Sequence, residues 1–152
     1  METLGRILVA TDLGPAADRA ISTALVLARP FDALVTLLHV AWVPPSSYGY
    51  AEGLNWPLEQ LEGAAKKSLD ELATRIRSQC PRIDTVLAAG EPCEVILETA
   101  KSINADLIVL GTHGRRGLRR LFLGSVAEKV VRTSTIPVLT VAADPADGPT
   151  ER

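Results

Sequence analysis

The chain has 152 residues, 47% of them hydrophobic and 22% charged, and a net charge of −2. That length suits one domain with its own core; two cysteines exclude a disulfide-rich scaffold, and the absence of CxxC and HExxH, with only His39 and His113 available, argues against a dedicated zinc site. Near-neutral charge argues against an obligate nucleic-acid or membrane partner, and Arg29, Asp32 and Pro44 keep the most apolar stretch short of a membrane span. The opening residues lack the basic-then-apolar layout of a secretory signal, so a cytoplasmic protein is expected.

Residues 6–11 read as a first strand, buried on both faces because its apolar run is nearly continuous, and Asp12 ends it. From Pro15 to about Arg29, Ala17, Ala20, Ile21, Ala24, Leu27 and Ala28 recur at helical spacing, and Pro30 closes that helix. Residues 33–43 form a second strand, in which His39 reads as a hydrogen-bonded core histidine, and Pro44 and Pro45 stop it. Trp42 and the connection 44–57, with Tyr48, Tyr50 and Trp56, hold four of the six aromatic residues: a lid, a partner surface or a cover for the core edge. Leu58 to about Gln79 is a long amphipathic helix. Residues 83–89 make a third strand, Gly90 a turn, Pro92 the start of a third helix and Asn104 its end. A fourth strand at 106–110, a long loop at 112–123, a helix from Ser125 to about Thr133 and a fifth strand at 136–142 follow. The domain is expected to span residues 1–143, with a disordered tail over 144–152.

This alternation predicts an α/β fold: an open five-stranded parallel sheet with helices on both faces, Rossmann-like, with right-handed crossovers. Ligands in such folds bind beyond the carboxyl ends of the strands, where Asp12, the loop after Val43 and the loop after Leu110 all lie. The last is far longer than the roughly two to six residues usual for such a connection. Gly111 and Gly114 let main-chain N–H groups approach an anion, and Gly124-Ser125 opens a helix whose N-terminus favours phosphate. Arg115, Arg116, Arg119 and Arg120 fall between Asp106 and Glu128, a stretch with no acid, which favours one anionic site. The plainer alternative has the glycines punctuating a turn and Ser125 capping a helix. No Gly-Lys-[Ser/Thr] of a Walker loop occurs. Asp12 either bonds a ligand or caps the first helix. Ser125, His113 and Asp12 lack the G-x-S-x-G elbow of a hydrolase, and His113 reads as a loop histidine; Cys80 and Cys93 read as ordinary thiols.

Gly111-x2-Gly114-x9-Gly124-Ser125, followed by Val126 and by Ile136-Pro137-Val138-Leu139-Thr140-Val141, resembles the universal stress protein family. Ile7 to Asp12, Gly90-Glu91-Pro92 and Ala105 to Gly111 are similar to its pattern as well, so the resemblance covers residues 4–142. The glycine motif implies the ATP-binding branch. By that resemblance Ala10, Thr11 and Asp12 meet the ribose or adenine side, and the backbone at Val40 reads the adenine edge. Gly111, Thr112, Gly114, Gly124, Ser125 and Val126 cradle the phosphates, with Arg115 nearby. The implied ligand is ATP, with magnesium on its phosphates, the alternatives being AMP or ADP. A homodimer through residues 136–141 is also implied. One departure is Gly14-Pro15, where the family often has a serine two residues after the acid. The expected function is a homodimeric stress-response or signalling protein. The alternatives are a slow ATP hydrolase or phosphotransferase, and an interaction module that binds no nucleotide.

Overall fold

The computed structural model describes residues 3–42, 55–112 and 123–143. Its elements alternate as predicted: β1 (Arg6–Ala10), α1 (Pro15–Ala28), β2 (Leu34–Trp42), α2 (Asn55–Ile76), β3 (Ile83–Gly90), α3 (Pro92–Ser102), β4 (Leu107–Gly111), α4 (Ser125–Thr133) and β5 (Val138–Val141). All strand pairs are parallel, in the order β3-β2-β1-β4-β5. The chain moves outward from β1 to β3, then returns to the other side of β1 to place β4. The β1/β4 boundary is therefore a topological switch point, where the connections leaving two adjacent strands diverge and open a crevice.

Side-chain alternation along the strands divides the core in two. Ile7, Val9, Val35, Leu37 and Val109 face one side, under Ile21, Leu25, Leu69 and Ile76 of α1 and α2. Leu8, Leu38, Ile108 and Leu110 face the other, under Cys93, Ile96, Ala127 and Val130 of α3 and α4. Both faces are covered, which is why the strands read as unbroken apolar runs rather than as alternating ones.

Boundaries differ from the expected ones for local reasons. Pro30 does not close α1 abruptly; the chain runs on through a single 3-10 turn, Arg29–Phe31, and Asp32 then takes a left-handed φ of 51°. Asn104, with φ 51°, ends α3 as expected, in the conformation asparagine tolerates. Gly90 is the last residue of β3 rather than a turn, and its φ of 144° is open to glycine and strained for other residues. Ile136 and Pro137 precede the last strand, because the Ser134 hydroxyl closes a local turn, accepting from the Ile136 N–H and donating to its carbonyl. The expected tail at 144–152 lies outside the described residues.

Candidate functional site

A cavity of about 510 Å³ opens at the carboxyl end of the sheet, at the switch point between β1 and β4. Ala10, Thr11 and Asp12 line it from the end of β1, Val40 from β2, Gly111 and Thr112 from β4, and Gly124, Ser125 and Val126 from the start of α4. These nine predicted residues come from four separate parts of the chain and meet in one place. Gly114, Arg115 and His113 lie outside the described residues, as does most of the aromatic connection with Tyr48 and Tyr50. Trp42, at the end of β2, is 61% exposed.

The turn after β1 is built by its own polar side chains. Thr11 is buried; its Oγ1 accepts from the Leu13 N–H at 3.0 Å, and its own N–H donates to the Leu38 carbonyl at 2.9 Å. Asp12 Oδ1 accepts from the Gly14 N–H at 2.9 Å. Together these bonds hold Leu13 at φ 62°, an expensive conformation for a leucine. Asp12 therefore does not cap α1: Gly14 is the N-cap, and Pro15 follows it. The other carboxylate oxygen, Oδ2, is buried and has no hydrogen-bond partner among the described residues. Leaving such an atom unpaired costs about 1–3 kcal/mol, so the arrangement calls for a donor beyond the described residues.

Across the cavity, Gly124 is the N-cap of α4, and no described side chain caps the helix. Ser125 is the first helical residue and is exposed, so it is not the cap that the plainer reading made it. The first N–H groups of a helix have no intrahelical acceptor and sit at the positive end of its dipole. The neighbouring α3 differs: the Glu91 carboxylate accepts from the Glu94 N–H at 2.9 Å and closes that terminus to a second anion. Among the described residues, of the two helices that start on this face, α4 alone offers its N-terminus. Gly124 has φ −58° and ψ 158°, which any residue can adopt, so its use here is the absence of a side chain and not torsional freedom. The Thr112 carbonyl accepts from the Gly124 N–H at 2.6 Å, and the Thr112 N–H donates to Val141. That pair of bonds pins both ends of the predicted phosphate loop beside the cavity.

Sequence reasoning missed the apolar wall. Leu38, Pro92, Ile96, Leu110 and Ala127 line the cavity. Pro92 and Ile96 were read only as helix start and helix face. The signal was the right-handed crossover rule, which puts α3 and α4 on one side of the sheet and so turns the start of α3 toward the loop after β4. His39 also lines the cavity, and its Nδ1 lies 2.9 Å from the Thr11 carbonyl oxygen. The hydrogen bond was expected, and its place at the ligand-facing turn was not. Among the described residues no cluster of three or more His, Cys, Asp and Glu is arranged to hold a metal ion. No described helix is long and apolar enough to cross a membrane.

Comparison with known proteins agrees with this architecture. A model of the Universal stress protein family matches residues 3–142. Universal stress protein MJ0531 of Methanocaldococcus jannaschii is 36% identical over 138 residues, covering 90% of this chain and 81% of that protein. The structure of protein MJ0577 from the same organism superposes with a TM-score of 0.84 at 27% identity, over 93% of this chain and 98% of that one. A universal stress protein from Archaeoglobus fulgidus, solved in complex with dAMP, superposes with a TM-score of 0.66 at 25% identity, over 90% of this chain and 96% of that one.

Proposed function

The chain belongs to the universal stress protein family, and from that premise we propose that it is an ATP-binding member, acting as a homodimeric stress-response or signalling protein. The observation that carries the reading is the pairing of opposite chemistries across one cavity. Asp12 Oδ2 is an acceptor waiting for a hydroxyl or amine, and the uncapped start of α4 is a donor set waiting for an anion. A nucleotide carries both groups at the two ends of one molecule, with a flat apolar base to lie against Leu38, Ile96 and Leu110. The A. fulgidus complex with dAMP supports the adenine. The cavity volume of about 510 Å³ falls within the range of small-ligand sites, roughly 300–1,000 Å³.

In this reading Thr11 and Asp12 meet the ribose, and the Val40 main chain reads the adenine edge. The β1–β2 ladder ends at the Ala10–Leu38 pair, so Val40 lies beyond it on the side that faces the cavity. Gly111, Thr112, Gly124, Ser125 and Val126 hold the phosphates, joined by Gly114 and Arg115. Magnesium, when present, is held chiefly by the phosphate oxygens, its usual manner with nucleotides. Asp12 and His39 are the titratable groups among the described residues lining the cavity, and both already serve the β1 turn. Neither is placed as a base beside the phosphate end, so binding rather than efficient turnover is the proposed role.

Mass spectrometry of nucleotide released from purified, denatured protein tests the reading, with ATP at near-stoichiometric amount as the expected result. Protein purified free of nucleotide should gain thermal stability with ATP, about 2.7 kcal/mol at a hundred times the dissociation constant. Inorganic tripolyphosphate, which lacks the base and engages only the α4 end, should give a smaller shift. No shift at millimolar ATP overturns the reading and favours the interaction module.

A further inference from the structure

His39 stands where a strand residue has no reason to be polar. Leu37 and Leu38 beside it are fully buried, and by alternation its side chain leaves the sheet on the side of Leu37. β1, however, stops at Ala10, one residue before the position opposite His39. Past that end the imidazole reaches the Thr11 carbonyl at 2.9 Å. A carbonyl only accepts, so Nδ1 carries the proton and, in the neutral ring, Nε2 is the acceptor nitrogen.

The consequence lies one bond further along the chain. The Thr11 carbonyl belongs to the same peptide plane as the Asp12 N–H. Fixing its direction fixes the path by which the chain enters Asp12. Three other bonds shape this turn: Thr11 N–H to Leu38, Leu13 N–H to Thr11 Oγ1, and Gly14 N–H to Asp12 Oδ1. Two of them are internal to the turn, and the first acts before the peptide in question. Among the described residues, the His39 ring is thus the tie that holds the Thr11–Asp12 peptide to β2, the neighbouring strand whose Val40 also lines the cavity. The turn it ties holds Leu13 at φ 62°, a conformation that persists only where the surroundings over-determine it.

We propose that His39 is a positioning residue for the nucleotide, its Nδ1–H holding the Thr11–Asp12 peptide so that Asp12 Oδ2 meets the ribose at a fixed distance from the Val40 main chain. The inference rests on the nucleotide reading above and deepens it, since it makes recognition of the nucleoside half depend on a histidine that contacts main chain rather than ligand.

Two substitutions separate positioning from mere packing. His39→Asn keeps an N–H donor close to the place of Nδ1, whereas His39→Leu keeps bulk and removes the donor. Titration calorimetry with ATP should show His39→Leu weakened about tenfold, the scale of one lost hydrogen bond, and His39→Asn within about threefold of wild type. Tripolyphosphate, which engages only the α4 end, should bind all three proteins alike. Nitrogen-15 spectra of the unliganded protein should show the Nδ1–H tautomer. They should also show Leu13 and Gly14 amide shifts that move in His39→Leu and return in His39→Asn. Equal ATP affinity in His39→Leu and wild type overturns the proposal, as does an Asn variant no better than the Leu one, or an Nε2–H ring. A wild-type protein that takes no ATP overturns the function reading instead. The nitrogen and amide shifts then decide alone whether His39 sets the turn.

Discussion

At Asp12 the two oxygens of one carboxylate are placed differently, and they can be tested apart. Oδ1 builds the turn by accepting from Gly14, while Oδ2 is buried and unpaired among the described residues. In Asp12→Asn the amide oxygen can still accept from Gly14, but an N–H₂ replaces the second acceptor and the negative charge is lost. A hydrogen bond to a charged group contributes about 1.5–3 kcal/mol, so ATP affinity should fall roughly ten- to a hundredfold by calorimetry. Thermal unfolding of the unliganded variant should show no loss of stability, because the replaced oxygen has no partner among the described residues. A residue placed for folding alone would give the reverse pattern: destabilised protein and unchanged affinity. Asp12 was legible in the sequence because an acid directly after the first apolar strand marks a strand end. The role proposed for His39 was not legible. Periodicity places it among aliphatic residues, and its bond depends on β1 stopping at Ala10 rather than at Thr11, a one-residue boundary that composition does not fix.

At the scale of elements, the nine described strands and α-helices were readable because each is a period-matched apolar run between Gly, Pro, Asn or Asp. What could not be read is which helix N-terminus is closed. Glu91 and Ser125 look alike as helix starters, yet the Glu91 carboxylate caps α3 while Ser125 lies inside α4 with Gly124 as the N-cap. Ser125→Ala should therefore change stability by no more than about 0.5 kcal/mol, where loss of a true cap costs typically about 1 kcal/mol. The same substitution should weaken ATP and tripolyphosphate together, since it touches only the phosphate end. The β3–α3 junction responds differently. Gly90 has φ 144°, and a Cβ there would sit 3.0 Å from Val95 Cγ2, so Gly90→Ala is strained in its backbone and crowded against α3. A loss of about 1–3 kcal/mol in chemical denaturation is expected, the range for forced backbone conformations. If Gly90→Ala unfolds at the wild-type denaturant concentration, the strained junction is not what the geometry implies.

At the scale of the whole molecule, the open question is what covers the outer edge of β5. The strand lies at the end of the sheet, pairs with β4 alone among the described strands, and carries no charge from Ile136 to Ala142. Its side chains divide between the two cores, Leu139 and Val141 toward α1 and α2, Val138 toward α3 and α4, and all remain half-buried. Such an edge is a template for another strand, and natural sheets normally blunt or cover it. A second copy related by a two-fold axis satisfies it antiparallel and closes the assembly, which is the homodimer proposed above. The ladder identifies the groups involved. Ile108 N–H donates to Pro137 and Thr112 N–H to Val141, so the main chain of residues 137, 139 and 141 faces β4. Because N–H and C=O of one strand residue point to the same side, Val138 and Thr140 present theirs to the open edge. Thr140→Pro thus removes an outward donor and leaves the β4–β5 bonds in place, as edge strands allow. Leu139→Pro would break the inner ladder and is the wrong probe. Light scattering at micromolar concentration should give twice the chain mass for the wild type and a shift toward single chain mass for Thr140→Pro. Circular dichroism should keep the folded signature in both. A wild-type chain that is monomeric across that range removes the dimer from the proposal. A Thr140→Pro protein that remains fully dimeric moves the interface away from β5.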